Sequence, residues 1–210
     1  SDVNFTINSG PTLVMGTNVL TGKNFTRNSG GSLSVGSPDG ITSSGSTGNI
    51  QVSGTRSFST GANYIYAGTV AQVTGNGMPS TVNNFQINNS NGVTLSSACT
   101  VAGILTLTNG CISPASYSLA VSNTSASSVT GHSATSYIKG NLQRAVSSSG
   151  VYAFPIGTNT NYQLATVQLP SAAGVSNITC SFTVANPIEP AYPLSGIRIN
   201  NLDVTQMVDH

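Results

Sequence analysis

The sequence predicts an all-β chain: a parallel β-helix (β-solenoid) of about 20 residues per coil, followed by a small antiparallel β-sandwich module that reads as incomplete. Three observations predict it. A segment recurs twenty positions on; the composition is almost uncharged and rich in small polar residues; and short apolar alternations are closed off by turn residues.

The recurrence is clearest at the start. Asn4 to Gly10 reads NFTINSG and Asn24 to Gly30 reads NFTRNSG. The residues that follow match too, Thr12-Leu13-Val14-Met15-Gly16 against Ser32-Leu33-Ser34-Val35-Gly36. A looser copy starts at Asn84 as NFQINNSNGVTLS, with Phe85, Ile87, Val93 and Leu95 in the apolar slots, and Leu105 and Leu107 follow 20 positions after Phe85 and Ile87. Ile50 and Val70 share the offset, although the pattern blurs between Ser37 and Gly77. A period this short suits one coil of a solenoid better than a propeller blade or a helix pair.

Coiling accounts for the composition. Ser, Thr, Asn and Gly make up 102 of the 210 residues, and charged residues only 5%, where about 25% is ordinary. Alternate strand residues point inward, so Phe5 with Ile7, or Leu105 with Leu107, share a face. Coils stacked about 4.8 Å apart place like residues over like, giving aliphatic stacks inside and Asn or Ser ladders at the corners. The corner and ladder candidates are Asn4, Asn24, Asn84, Asn91, Gly92, Asn109 and Gly110. Asn91-Gly92 and Asn109-Gly110 have a second reading, because Asn-Gly between apolar alternations is also a strong hairpin signal; the repeated offset favours stacked coils. Disorder is disfavoured by the 38% hydrophobic fraction and its regular spacing.

The texture changes near residue 140, so the solenoid is assigned to residues 1–146 and the sandwich-like module to 147–210. Lys139 and Arg144 bring two of the six basic residues together, and Ser147 to Gly150 reads as a linker-like break. Longer strands are expected over Val151–Phe154, Gln163–Leu169, Ile178–Val184 and Ile197–Val204. Five of the nine prolines lie beyond residue 150, with Pro187 and Pro190 in turn positions. Four strands make a thin sandwich, and the chain is expected to be a piece of something longer.

Two stretches carry a resemblance. GNLQRAV (Gly140 to Val146) with YAFPIG (Tyr152 to Gly157) resembles a junction in very large secreted surface proteins of Bacteroidetes-type bacteria. INNSNGVTLSSACTVAGILTLTNG (Ile87 to Gly110) is similar to their β-strand-repeat regions. The resemblance implies export to the cell surface, a solenoid stalk, and a part in adhesion, gliding or filament formation.

Chemistry finds little purchase. The acidic residues are Asp2, Asp39, Glu189, Asp203 and Asp209, too scattered for a catalytic carboxylate pair, and Asp39 reads as a turn residue. His132 reads as a loop residue, and no G-x-S-x-G elbow occurs. Gly75-Asn76-Gly77 lacks the third glycine and the strand-to-helix setting of a phosphate loop, and no acidic loop suits calcium. Cys99, Cys111 and Cys180 are an odd set that reads as buried small hydrophobes, with a Cys99–Cys111 bridge as the alternative. No Cys/His spacing points to a metal. The sequons at Asn4, Asn24, Asn123 and Asn177 are within chance for such a composition. No metal, cofactor or catalytic residue is expected.

A net charge of +1 disfavours nucleic acid, and no apolar run reaches the ~20 residues of a membrane span. The expectation is an extracellular structural or adhesive module. Its partners would be further copies of itself or adjoining repeats, met through sheet ends, and surface glycans. Alternatives are a glycan- or ice-binding face with a regular Thr array, and a polysaccharide-active enzyme.

Overall fold

The structure, a computed structural model, describes residues 2–147, 149–170 and 174–182, together with the backbone of 197–200. Ser148, Val184, Pro187, Glu189, Pro190, Asp203, Asp209 and the far end of the expected last strand lie outside the described residues.

The chain is a β-solenoid of about seven turns whose strands stack in parallel on three sides. The first side begins with Asn4–Ile7, Asn24–Arg27 and Arg56–Phe58, and is taken up later by Thr81–Val82, Cys99–Val101, Leu119–Val121 and Leu142–Ala145. The second side stacks Thr12–Val14, Ser32–Val35, Asn63–Tyr66, Phe85–Asn88, Leu105–Asn109 and Val129–Thr130. The third stacks Gln72–Val73, Val93–Thr94 and Ile112–Ser113, and is carried on by bridges from Ile112 to Ile138 and from Ile138 to Ile156. One 3₁₀ turn, Ala126–Ser128, is the helical exception among the described residues.

Register follows the repeat. Asn4, Phe5 and Thr6 partner Asn24, Phe25 and Thr26, and Leu13 partners Leu33. Inward slots form columns: Leu33, Tyr64, Phe85, Leu105 and Val129 lie over one another, and so do Val82, Val101 and Val121. All eight are buried and belong to one continuous core. Stripping such columns from water is the main stabilising term, at roughly 25 cal/mol per Å² of apolar surface.

One sequence expectation is upheld and one is corrected. The Asn-Gly pairs are coil corners rather than hairpins, because the strands after them, from Val93 and Ile112, pair in parallel. Ile50 does not lie under Val70. It bridges Leu20, while Val70 is 52% exposed. The cause is an enlarged second coil: Ser32 partners Asn63, an offset of 31 positions, before Leu105 partners Phe85 at the original spacing. The extra length first reaches towards the third coil, with Ile41 donating to the Thr74 carbonyl. It then returns to the first, where Leu20 donates to the carbonyl of Asn49 and Gln51 to that of Leu20.

Beyond Ala145 the strands turn antiparallel, as expected. Gly150–Gly157 pairs with Tyr162–Leu169, and Asn177–Phe182 pairs with both Leu142–Ala145 and Ile197–Asn200. These strands extend the first and third sides of the solenoid. Their buried residues Tyr152, Phe154, Ile156, Ile178 and Cys180 belong to the solenoid's own core.

Candidate functional site

The corner candidates build ladders. Asn24 donates through Nδ2 to Asn4 Oδ1 at 2.7 Å, while its Oδ1 accepts the Thr55 N–H at 2.8 Å. Asn84 repeats the arrangement, with Nδ2 on Asn63 Oδ1 at 2.9 Å and Oδ1 accepting the Ile104 N–H at 2.7 Å. Asn91 donates from Nδ2 to the Thr69 carbonyl at 2.9 Å. Asn109 is the register partner of Asn88, and its carbonyl accepts the Asn89 N–H. Gly92 and Gly110 turn their corners at φ +85° and +76°. At Gly110 a Cβ would come within 1.8 Å of the Asn89 carbonyl oxygen, so both conformation and space require glycine there.

The outer faces are neutral. A groove of about 240 Å³ on the second side is lined by Asn63, Asn84, Gln86 and Thr106 with Ile65 and Ile104. Its carboxamides already bond one another or nearby groups: Asn63 Oδ1 accepts from both Asn83 and Asn84, and Gln86 donates to Thr108. Threonine columns are short. Thr6 and Thr26 are followed by Ser57, Thr81 and Thr100 by Ala120, and Thr130 over Thr106 has Gln86 beneath.

The polar chemistry lies inside, at residues that the sequence reading passed over. Arg27 fills an inward slot between Ile7 and Phe58, and Arg144 fills the slot above Val121. Both are fully buried. Arg27 donates to the carbonyls of Ile7 and Asn8 at 2.9 and 2.8 Å. Arg144 donates to the carbonyls of Ala153, Ser125 and Ala126 and to Ser128 Oγ, all within 2.9 Å. Arg56 ties the enlarged second coil, donating to Thr42 and to the Gly45 and Val52 carbonyls. Burial lowers the pKa of all three guanidinium groups. No carboxylate faces them among the described residues. A planar donor fork gathers several main-chain carbonyls at once, adding to the N–H that the Ile7 and Ser125 carbonyls already accept from Asn28 and Ser128. Buried Gln72 and Asn49 act likewise, Gln72 on the Val35 and Ser37 carbonyls and Asn49 on those of Gly16 and Asn18. One signal was readable: Arg27 stands where the first copy of the repeat has Ile7.

The remaining reactive groups are dispersed. Cys99, Cys111 and Cys180 are free; the first and last are buried, and burial pushes their thiols up to about 12 and about 11. Cys111 is only half-buried, a departure from the expectation of three buried thiols. Cys99 lies on the first side and Cys111 at the approach to the third, so the alternative bridge is not formed. His132 Nδ1 lies 3.2 Å from the Tyr162 hydroxyl, and burial, then Arg144, lowers its pKa. Asp2 pairs with Lys23 at 3.5 Å on the surface, and Asp39 sits exposed in its turn. Among the described residues no three His, Cys, Asp or Glu side chains gather as a metal site, and no helix is long and apolar enough to cross a membrane. The functional reading therefore rests on the stacked coils and their internal staples, since no family model, curated protein or solved structure matches the chain.

Proposed function

We propose that this chain is an extracellular structural or adhesive module, a stalk or filament-forming segment of a large surface protein. The carrying observation is the single core that runs unbroken from Met15 in the first coil to Cys180 beside the last. Such a core makes the coils one stiff body, in which each is held by its neighbours. Its polar side chains are engaged in holding coil to coil, and its surface is neutral and rich in hydroxyls, which suits span and contact. The reading involves no catalysis. The resemblance of Gly140 to Val146 and of Ile87 to Gly110 to secreted surface proteins supports the location.

Threonine columns of two residues give no basis for preferring an ice- or glycan-binding face. Small-angle scattering and a glycan panel test the reading together. A rod of constant dimensions with no glycan retained is the expected result. Saturable binding of a glycan that Gln86→Ala and Thr106→Ala abolish would replace it with a ligand-binding face.

A further inference from the structure

The two ends of the solenoid differ. At the far end, antiparallel strands cover the first and third sides. At the near end the first coil is open: Phe5 and Leu13 are half-buried, whereas their register partners Phe25 and Leu33 are fully buried. In a parallel ladder, alternate residues bond to opposite sides. Val3 and Ile7 bond upward to the second coil, which leaves the main-chain groups of Asn4 and Thr6 turned to the open side.

The side-chain bonds across coils also have a direction. The Thr55 N–H can only donate, so it fixes Asn24 Oδ1 towards the third coil and Nδ2 towards Asn4. Asn28 donates to Asn8 in the same sense, and Asn84 to Asn63. Asn49 and Gln72 likewise donate towards earlier coils, while Gln86, which donates forward to Thr108, is an exception. Asn4 and Asn8 therefore turn their Oδ1 to the second coil and their Nδ2 donors to the open end.

We propose that this open end is a directional docking face that takes a further β-solenoid coil, added in the same parallel sense, with carbonyl oxygens placed beneath Asn4 and Asn8. The proposal rests on the scaffold reading above and names its partner. Two features select this occupant. The existing contact between first and second coils matches Asn to Asn, Phe to Phe and Thr to Thr, so another coil of that pattern continues an interface already present. A second copy turned about a twofold axis would instead bring Nδ2 donors against Nδ2 donors, which leaves both sets unpaired.

The test is a tandem chain, in which a second copy of residues 4–23 is placed directly before Asn4 of the full protein. Hydrogen exchange is read at Asn4, Thr6, Thr12 and Val14 of the original first coil. The expected result is exchange slowed by at least about tenfold at these amides, with a raised unfolding midpoint. Putting Leu at the added copy's Asn4 and Asn8 positions should remove a measurable part of that gain. An added coil that stays unprotected, with the original amides unchanged, overturns the proposal. So does an unaltered chain that dimerises at micromolar concentration with Asn4 and Thr6 already protected. Glycan binding would sink the scaffold reading while leaving this exchange result intact, so the two failures are distinguishable.

Discussion

The guanidinium of Arg144 lies 5.2 Å from the centre of the Tyr152 ring and 5.8 Å from that of Phe154, while it donates to the carbonyl of Ala153 between them. One side chain of the last parallel strand on the first side thus grips the first antiparallel hairpin through charge, ring faces and main chain together. Its other bonds reach back to Ser125, Ala126 and Ser128, so it fastens the closing strands to the 3₁₀ turn below.

Replacing Arg144 by Met would remove the four hydrogen bonds that gather the closing strands onto the 3₁₀ turn. The expected loss is about 1–3 kcal/mol in chemical denaturation, with Lys in between because it keeps the charge and loses the fork. A variant within about 0.5 kcal/mol of the parent would contradict the role given to this residue.

Position along the stack should set the cost of truncating a core residue. Leu105→Ala, in a column covered on both sides, is expected to cost about 2–5 kcal/mol. Leu13→Ala, half-buried in the first coil, should cost clearly less, because the site is already open on one side. Urea titrations of both variants check the ordering, and equal losses would mean that the first coil is covered in solution.

The thiols should separate by place. Cys111 is expected to react with a disulfide reagent at pH 8 in the native protein, while Cys99 and Cys180 react only on unfolding. The buried pair also gives a pH dependence. Their folded-state pKa values of about 12 and about 11 lie above the ordinary 9.0, so the folded state keeps protons that the unfolded state releases. Their contribution to stability is therefore complete below about pH 9 and is lost as pH rises towards 11–12. Cys99→Ala with Cys180→Ala should flatten that alkaline decline; an unchanged slope would rule out the thiols as its source.

At the corners, Gly110→Ala meets both an unfavourable positive φ and the Asn89 carbonyl, so it is expected to cost more than the ~1 kcal/mol of a strained turn alone. Asn24→Asp keeps the acceptor for Thr55 and loses the donor to Asn4, for an expected loss of about 0.5–1.5 kcal/mol. Thermal melts of each variant decide both. A neutral Asn24→Asp would show that the rung between the first two coils carries no weight.

The winding was legible because stacking requires like slots to repeat: Phe5 and Phe25, or Phe85 and Leu105, announce their contact through sequence spacing alone. Ile50 and Val70 shared that spacing and misled, since the enlarged second coil sends Ile50 back to Leu20 and leaves Val70 outside. The seven corner and ladder candidates were visible because Asn and Gly have local conformational reasons to be there. The staples were not. Arg27, Gln72 and Arg144 stand in slots that periodicity assigns to apolar residues, and only the path of the chain shows which carbonyls they reach. The far strands were read as a sandwich-like module apart from the solenoid, because pairing between Leu142–Ala145 and Asn177–Phe182 leaves no periodic trace.

The second coil swells by eleven positions between Ser32 and Asn63 relative to the spacing of the first pair, yet the second-side strands on either side stay in register. Length can therefore vary at that one place while the pitch of the tube is conserved. Ser46, exposed in that bend just past the Gly45 carbonyl that Arg56 holds, is a permissive address where a foreign peptide could be grafted and displayed at a fixed height along the axis.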